Sequence, residues 1–148
     1  WARGNTYYVP TIDHNRFYAE NASLLGYSAE QVAGLDSFRL LNLETARRAF
    51  KAGVKFAMGS DAVYWMFGEN TRELGWFVKA GMTPAEALAT ATTGGAALLG
   101  MSDRLGNIAP GYFADIVAVE GDPLTDIGVV INNVRWVMKG GAVVVDKR

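Results

Sequence analysis

The chain has 148 residues, enough for one domain with a hydrophobic core; half of its residues are hydrophobic and a fifth are charged. The formal net charge is −1 and no basic run occurs, which argues against binding to nucleic acid or to an anionic membrane surface. The absence of cysteine excludes disulfides, a thiol nucleophile and thiolate metal ligands. No apolar run is long enough to span a bilayer. The composition leaves the compartment open, with the cytoplasm favoured.

The start of the chain has the character of an internal segment. Trp1 is not an initiator methionine, and Arg3–Gly4 resembles the last turn and C-cap of a helix. We therefore expect the sequence to be a piece of a longer polypeptide. A strand is predicted over residues 5–12, which are rich in aromatic and β-branched residues, and Pro10 is expected near its end.

Helical segments are predicted to follow this strand. Asp13 is typical of a helix N-cap, and Gly26 would end that first helix. Ser28 begins a capping-box pattern, which predicts a short helical turn. After Gly34 a second helix is predicted over residues 37–52. The apolar residues expected on its buried side are Leu40, Leu41, Leu43, Ala46, Ala49 and Phe50.

A second strand is predicted over residues 54–58, where bulky apolar residues alternate before a Gly-Ser break. Only Gly53 separates this strand from the preceding helix, and such connectivity predicts a parallel sheet. Asp61 follows just past the C-terminal end of the strand, the edge at which α/β proteins place catalytic groups. The simpler interpretation of Asp61 is a turn or helix-capping residue.

The loop over residues 62–69 contains four large apolar side chains, which is unusual for a loop: Tyr64, Trp65, Met66 and Phe67. They either fold back onto the core or form the wall of a substrate pocket. A helix is predicted to begin at Asn70 and to stop at Gly81, and Thr83–Pro84 is a strong start for the next one.

The last forty or so residues are predicted to be rich in β-structure. A strand is expected over residues 116–119, and Gly140–Gly141 separates two further strands as a tight hairpin. The sequence therefore predicts an α/β body over residues 1–105 and part of a small β-sheet domain over residues 106–148.

Two further polar residues, His14 and Ser60, are candidates for other chemistry. His14 is the single histidine, and without a second histidine or a cysteine nearby it is interpreted as a surface residue at a helix start. Ser60 has neither a nucleophile-elbow context nor a suitable histidine partner, which argues against a serine hydrolase.

The order of these motifs resembles the C-terminal part of the amidohydrolase superfamily, in the branch of imidazolonepropionase-like proteins and Xaa-Pro dipeptidases (prolidases). Residues 53–61 (GVKFAMGSD) resemble the eighth strand of its (β/α)₈ barrel, and residues 7–11 (YYVPT) match the seventh. Residues 70–88 (NTREL and AGMTPAEAL) resemble the helices after strand eight. Residues 106–123 (GNIAPG, ADIV and GDP) resemble the return of the chain into a composite β-sandwich.

This resemblance implies a metal-dependent amide hydrolase of the TIM-barrel type, with one or two zinc-like ions in the complete enzyme. Asp61 would be both a metal ligand and the catalytic residue that carries the proton. The other ligands of the family, a His-x-His pair, a lysine and two further histidines, would lie in an N-terminal segment that acts as the partner of this one. A (β/α)₈ barrel needs about 250 residues, so we expect the segment alone neither to bind metal tightly nor to turn over.

The resemblance also suggests a substrate, most simply an Xaa-Pro or related dipeptide. The residues expected to line its apolar pocket are Tyr8, Tyr64, Met66, Phe67 and Asn70. Asn70 or Arg72 could bind a carboxylate of the substrate, although a surface charge is the simpler interpretation of Arg72. Two other functions remain open: a cyclic amidase like imidazolonepropionase, and a non-catalytic scaffold. The surplus of apolar residues fits burial against the missing segment at least as well as a homo-oligomer interface.

Overall fold

The computed structural model describes residue 4 and residues 6–147. Its first sheet is a parallel pair of short strands, β1 (Tyr7–Tyr8) and β2 (Lys55–Phe56). The crossover between them consists of three helices, α1 (Ile12–Glu20), α2 (Ala22–Leu25) and α3 (Ala29–Lys51). Parallel strands cannot be joined by a tight turn, and these helices supply the long connection that they need. The predicted parallel pairing is confirmed.

Helix α3 is longer than predicted. The side chain of Ser28 accepts the N–H of Gln31, and the side chain of Gln31 accepts the N–H of Ser28, so the predicted capping box is confirmed. The helix then runs without a break through Gly34, which corrects the prediction of a short turn and a separate helix over residues 37–52. A glycine inside a helix costs about 1 kcal/mol, and a long helix with a capped start tolerates it.

Only part of the predicted apolar side of α3 is buried. Leu43, Ala46 and Phe50 follow the spacing of one helix face and pack against the core. Leu40 and Leu41 are 57% and 63% exposed, which corrects their assignment to the buried side. Both lie beside the half-buried stripe that Arg39, Asn42 and Leu43 continue, because each step along a helix turns a residue by about 100°.

The core lies between the two parallel strands and the helices that pack against them. The ring of Phe56 on β2 meets the rings of Tyr8 and Phe77 edge-on, with centroids 5.3 and 5.9 Å apart. Edge-to-face contacts of this kind are favoured between aromatic rings. The buried residues of this core are Ile12, Ala46, Phe56, Leu74, Trp76, Phe77, Ala80, Met82, Ala87 and Ile127.

Three helices follow β2, after 3₁₀ turns at Tyr64–Met66 and Asn70–Arg72: α4 (Glu73–Lys79), α5 (Pro84–Ala91) and α6 (Thr93–Leu98). The capping box that Thr83 forms with Glu86 at the start of α5 was predicted and is confirmed. The N–H of Met58 donates to the carbonyl of Thr90 at 3.0 Å, which fastens the chain after β2 to the end of α5.

The C-terminal sheet is antiparallel, in the order β3 (Ile116–Val119), β4 (Val134–Lys139) and β5 (Ala142–Asp146). Gly140 and Gly141 join β4 and β5 with positive φ angles of 56° and 83°, as the predicted hairpin requires. Helix α7 (Gly128–Asn132) between β3 and β4 was not predicted. Ile127 belongs to the main core, so this part of the chain packs on the α/β body. The boundary at residue 106 and the composite β-sandwich stay predictions.

The helices in the described part of the chain do not have the properties of a membrane span. None of them is both long and apolar enough to cross a bilayer.

Two neighbouring glycines of α6 allow a matched test of how closely this helix approaches β2. A Cβ on Gly94 would lie 2.9 Å from the carbonyl oxygen of Phe56, whereas a Cβ on Gly95 would meet nothing closer than 3.5 Å. We expect Gly94→Ala to destabilise the protein by ~1–3 kcal/mol because the backbone atoms must move apart. Gly95→Ala, the control, should be neutral or stabilising by up to ~1 kcal/mol. Urea unfolding of both variants measures the difference, and equal stabilities would contradict the packing.

Candidate active site

Asp61 lies beyond the carboxyl end of β2 and is exposed. Its φ angle is +52°, in the left-handed region that residues other than glycine, asparagine and aspartate seldom adopt. In the part of the chain that the structure describes, no hydrogen bond or ion pair to its carboxylate is present. Asp61 is therefore neither a helix cap nor a side chain bound to a nearby amide. Its carboxylate is free to bind a ligand.

The loop that carries Asp61 is held from both sides. A Cβ on Gly59 would lie 2.6 Å from the Cγ1 of Val9, so the chain passes directly against the end of β1. The Nδ2 of Asn70 donates to the Oγ of Ser60 at 2.8 Å. On the other side, the Nδ1 of His14 donates to the backbone carbonyl of Asp61, also at 2.8 Å. His14 is thus hydrogen-bonded but only half-buried in the first turn of α1, which agrees with its interpretation as a surface residue at a helix start.

The four apolar residues of the loop over residues 62–69 were expected either to fold back onto the core or to line a substrate pocket, and the structure shows some of each arrangement. Met66 is fully buried, which corrects the prediction that it lines the pocket. Tyr64 and Phe67 are 61% and 72% exposed and stay candidates for substrate contact. Trp65 packs its ring against Phe17 at 5.4 Å. Met66 therefore anchors the loop in the core, and the rings of Tyr64 and Phe67 are exposed to solvent.

Two further predicted pocket residues are engaged elsewhere. The hydroxyl of Tyr8 donates to the Oδ1 of Asn42 on α3 at 2.9 Å, and its ring packs against Phe56. Tyr8 therefore faces the helices, and the prediction that it shares a pocket mouth with the loop does not fit these contacts. The side chain of Asn70 spans the loop, accepting the N–H of Gly68 at 3.1 Å and donating to Ser60. Asn70 shapes the loop next to Asp61.

A buried carboxylate that the sequence analysis missed lies behind this loop. Glu73, the first residue of α4, is fully buried, and its oxygens accept the backbone N–H groups of Ile12 and Asp13 at 2.9 and 2.8 Å. These are the first two residues of α1, whose N-cap residue Thr11 makes no side-chain cap. Glu73 therefore caps α1 from another helix. Glu73 is four residues before Phe77 and so lies on the apolar face of α4. A charged residue on the apolar face of a helix is the sequence feature that could have predicted a buried carboxylate here.

The second member of this network is Asp13, which lies inside α1 and is not the predicted N-cap. It is buried, and its oxygens accept the indole N–H of Trp76 at 2.8 Å and the guanidinium of Arg16 at 2.7 and 2.8 Å. Burial by itself would raise the pKa of Asp13, but these donors outweigh burial and hold the pKa below its usual value. The Nε of Arg72 lies 3.8 Å from the same carboxylate, and its positive charge also lowers the pKa of Asp13.

Burial raises the pKa of Glu73 to about 8. The N–H groups of Asp13 and Ile12 act in the opposite direction, and the negative charge of Asp13 adds to the rise. Between the pKa of an unfolded glutamate, about 4.3, and about 8 in the folded protein, the native state binds more protons than the unfolded state. The stability that Glu73 contributes is thus complete below that range and is lost as the pH rises through it.

We expect Glu73→Gln to flatten the dependence of the free energy of unfolding on pH between 5 and 8. One proton corresponds to a slope of at most about 1.4 kcal/mol per pH unit. Glu86→Gln is the control, because Glu86 is exposed and hydrogen bonds from Thr83 lower its pKa, so its titration falls below this range. Urea unfolding at several pH values measures both slopes. An unchanged slope in the Glu73 variant would contradict the assignment.

A metal ion bound by Asp61 would need further ligand side chains close to this residue. Over residue 4 and residues 6–147, no three histidine, cysteine, aspartate or glutamate side chains are grouped so that they could hold a metal ion. Asp61 nevertheless suits one ligand position, because its carboxylate is exposed and has no partner in this part of the molecule. The described residues therefore do not form a complete metal site by themselves, and a role of Asp61 as one of its ligands stays a prediction.

Known proteins resemble this chain along most of its length. Residues 11–144 match the pattern that defines the Amidohydrolase family. The ochratoxinase of Aspergillus niger is 36% identical over 129 residues, which are 84% of this chain and 26% of that protein. The imidazolonepropionase of Geobacillus kaustophilus is 32% identical over 118 residues, 76% of this chain and 28% of that protein. The chain thus spans about a quarter of the length of these relatives.

Solved structures agree with the sequence relatives. A Xaa-Pro dipeptidase with bound methionine in its active site superposes with a TM-score of 0.80 at 39% identity, over 93% of this chain and 34% of that one. A prolidase complexed with N-methylphosphonate-L-proline superposes with a TM-score of 0.84 at 33% identity, over 95% of this chain and 35% of that one. The predicted resemblance to the prolidase-like branch is confirmed, and the α/β fold agrees with a fragment of a TIM-barrel hydrolase. By sequence pattern, by relatives and by fold, the chain belongs to the amidohydrolase family.

Proposed function

We propose that this chain is part of a metal-dependent amide hydrolase, and that the whole enzyme is a dipeptidase that cleaves Xaa-Pro or related dipeptides. The observation that carries the proposal is the exposed carboxylate of Asp61 beyond the carboxyl end of β2, which has no hydrogen-bond or ion-pair partner among the described residues. Catalytic groups of (β/α)₈ enzymes lie at this end of the strands. The likeness to a Xaa-Pro dipeptidase and to a prolidase supports the choice of substrate class.

The cofactor in this proposal is a divalent metal, with zinc as our choice and two ions in the complete enzyme. Asp61 would be its ligand in this chain, and the N-terminal segment of the same protein would supply the others. When bound, such a metal lowers the pKa of a water molecule toward neutrality and polarises the carbonyl of the substrate.

Asp61 would also move the proton. A carboxylate at this position accepts a proton from the attacking water and then donates it to the nitrogen that leaves. Amines are poor leaving groups as anions, so this delivery is required for amide cleavage. The absence of a competing partner for the Asp61 side chain in the described residues keeps it available for both steps.

Substrate contact is assigned to the exposed rings of the loop after Asp61. Tyr64 and Phe67 present apolar surface to solvent within six residues of that carboxylate. A proline ring or an apolar side chain is the complementary chemistry for such surface. The polar groups of Asn70 are already bonded within the loop, so Asn70 is proposed to keep the pocket in shape.

A second candidate function is the opening of a cyclic amide. It is favoured by a local likeness to the imidazolonepropionase of Hahella chejuensis, which is 57% identical over 37 residues, a quarter of this chain and 9% of that protein. The same carboxylate would serve this reaction, because a lactam nitrogen must also leave with a proton.

A panel of Xaa-Pro dipeptides and imidazolone-type lactams, tested on the full-length protein, distinguishes the two candidates. We expect turnover of Xaa-Pro dipeptides, its loss after treatment with a chelator, and its return when Zn²⁺ is added. Turnover of lactams alone would favour the second candidate. A metal-free, inactive full-length protein would leave only the scaffold interpretation.

Asp61→Asn tests the catalytic assignment. We expect kcat to fall about a hundredfold or more, because the amide keeps the shape of the side chain but cannot carry a proton. Asp103→Asn is the control, since Asp103 is an exposed carboxylate whose only ion-pair partner in the described chain is its neighbour Arg104. Steady-state kinetics and the metal content of both variants check the result, and a kcat near that of the wild type would contradict the role.

A further inference from the structure

Among the described residues, His14 makes a side-chain hydrogen bond to the backbone of Asp61, and this bond has a defined direction. The Nδ1 of His14 lies 2.8 Å from the backbone carbonyl oxygen of Asp61. A carbonyl oxygen only accepts hydrogen bonds, so Nδ1 carries the proton. The ring also meets the ring of Tyr18 edge-on at 4.8 Å, which limits its rotation. His14 is therefore an oriented donor to the residue proposed to bind the metal.

The backbone of Asp61 needs such support. A φ angle of +52° in a residue with a side chain costs about 1 kcal/mol or more, and it persists when surrounding contacts determine the conformation. Gly59 is wedged against Val9 and Ser60 is held by Asn70, but both contacts precede Asp61. The hydrogen bond from His14 acts on the carbonyl of Asp61 itself.

His14 is in turn fixed by the start of its helix. The oxygens of Glu73 hold the N–H groups of Ile12 and Asp13, and Asp13 is locked by the indole of Trp76. These contacts set the position of the first turn of α1, in which His14 is the next residue. A series of hydrogen bonds thus runs from α4 through α1 to the loop of Asp61.

We propose that His14 is a positioning residue that sets the direction of the Asp61 carboxylate by holding the backbone carbonyl of that residue. The inference rests on the proposed function, in which Asp61 binds the metal and carries the proton. A carboxylate that must reach both a metal and a leaving nitrogen tolerates little displacement, because catalytic groups act only within a narrow range of geometry. His14 acts through Asp61 and touches no substrate.

Three variants of His14 in the full-length protein separate this role from a direct one. The amide nitrogen of asparagine can occupy the place of Nδ1, whereas that of glutamine occupies the place of Nε2. We expect His14→Asn to keep kcat within about threefold, and His14→Gln and His14→Ala to lower it about tenfold, the factor that corresponds to one hydrogen bond. KM should change little, since no substrate contact is removed. Thermal unfolding of each variant checks that the fold is intact.

Hydrogen exchange of the backbone amides in residues 59–67 gives a readout that needs no activity. We expect faster exchange in this loop in the glutamine and alanine variants and exchange like that of the wild type in the asparagine variant. If the wild type hydrolyses neither dipeptides nor lactams, the proposed function fails, but the exchange data still test the positioning role. Rescue by glutamine and not by asparagine would overturn the inference, as would equal exchange in all three variants.

Discussion

The carboxylate of Glu73 binds the first two backbone N–H groups of α1, and the placement of the candidate site depends on this contact. The N–H groups at a helix start have no partner within the helix, and leaving them unpaired in a buried place costs free energy. Thr11 provides no cap, so α4 supplies it. The positive end of the helix dipole favours a carboxylate there, while burial opposes its charge, and burial is the stronger effect on the pKa. A polar contact between two helices thereby decides where α1 begins.

With the start of α1 in place, close contacts at the carboxyl ends of β1 and β2 position the loop that carries Asp61. β2 pairs with β1, and Gly59 allows the segment after β2 to pass close to Val9 at the end of β1. Asp61 follows in a left-handed backbone conformation. Met66 anchors the following loop in the core, and the rings of Tyr64 and Phe67 in the same loop stay exposed. The part of the molecule that the structure describes thus carries an exposed acid and two exposed aromatic rings on one loop, and the proposed amide hydrolysis rests on this arrangement.

The same contacts explain why a chain that spans about a third of its solved relatives superposes on them so well. Its core is closed by aromatic contacts around Phe56 and by the helices after β2, and Ile127 ties the C-terminal part to it. A metal site in this family member is a proposal in which Asp61 is one ligand among several. The further ligands would come from another part of the protein, since the described residues contain no group of three that could hold an ion.

The sequence by itself determined the features that depend on a few adjacent residues or on the order of the motifs. The capping boxes at Ser28 and Thr83 and the hairpin glycines follow from neighbouring residues. The parallel pairing of β1 with β2 follows from the order of helix and strand around Gly53, and the family follows from the order of all these motifs. Only the tertiary structure decided that Glu73 caps a helix and that His14 holds Asp61, because these pairs are 61 and 47 residues apart along the chain. For the same reason the pattern of four apolar loop residues could not show that Met66 is buried while Phe67 is exposed. Local propensity acts over a few residues, whereas burial and hydrogen-bond partners are set by whichever segments the fold brings together.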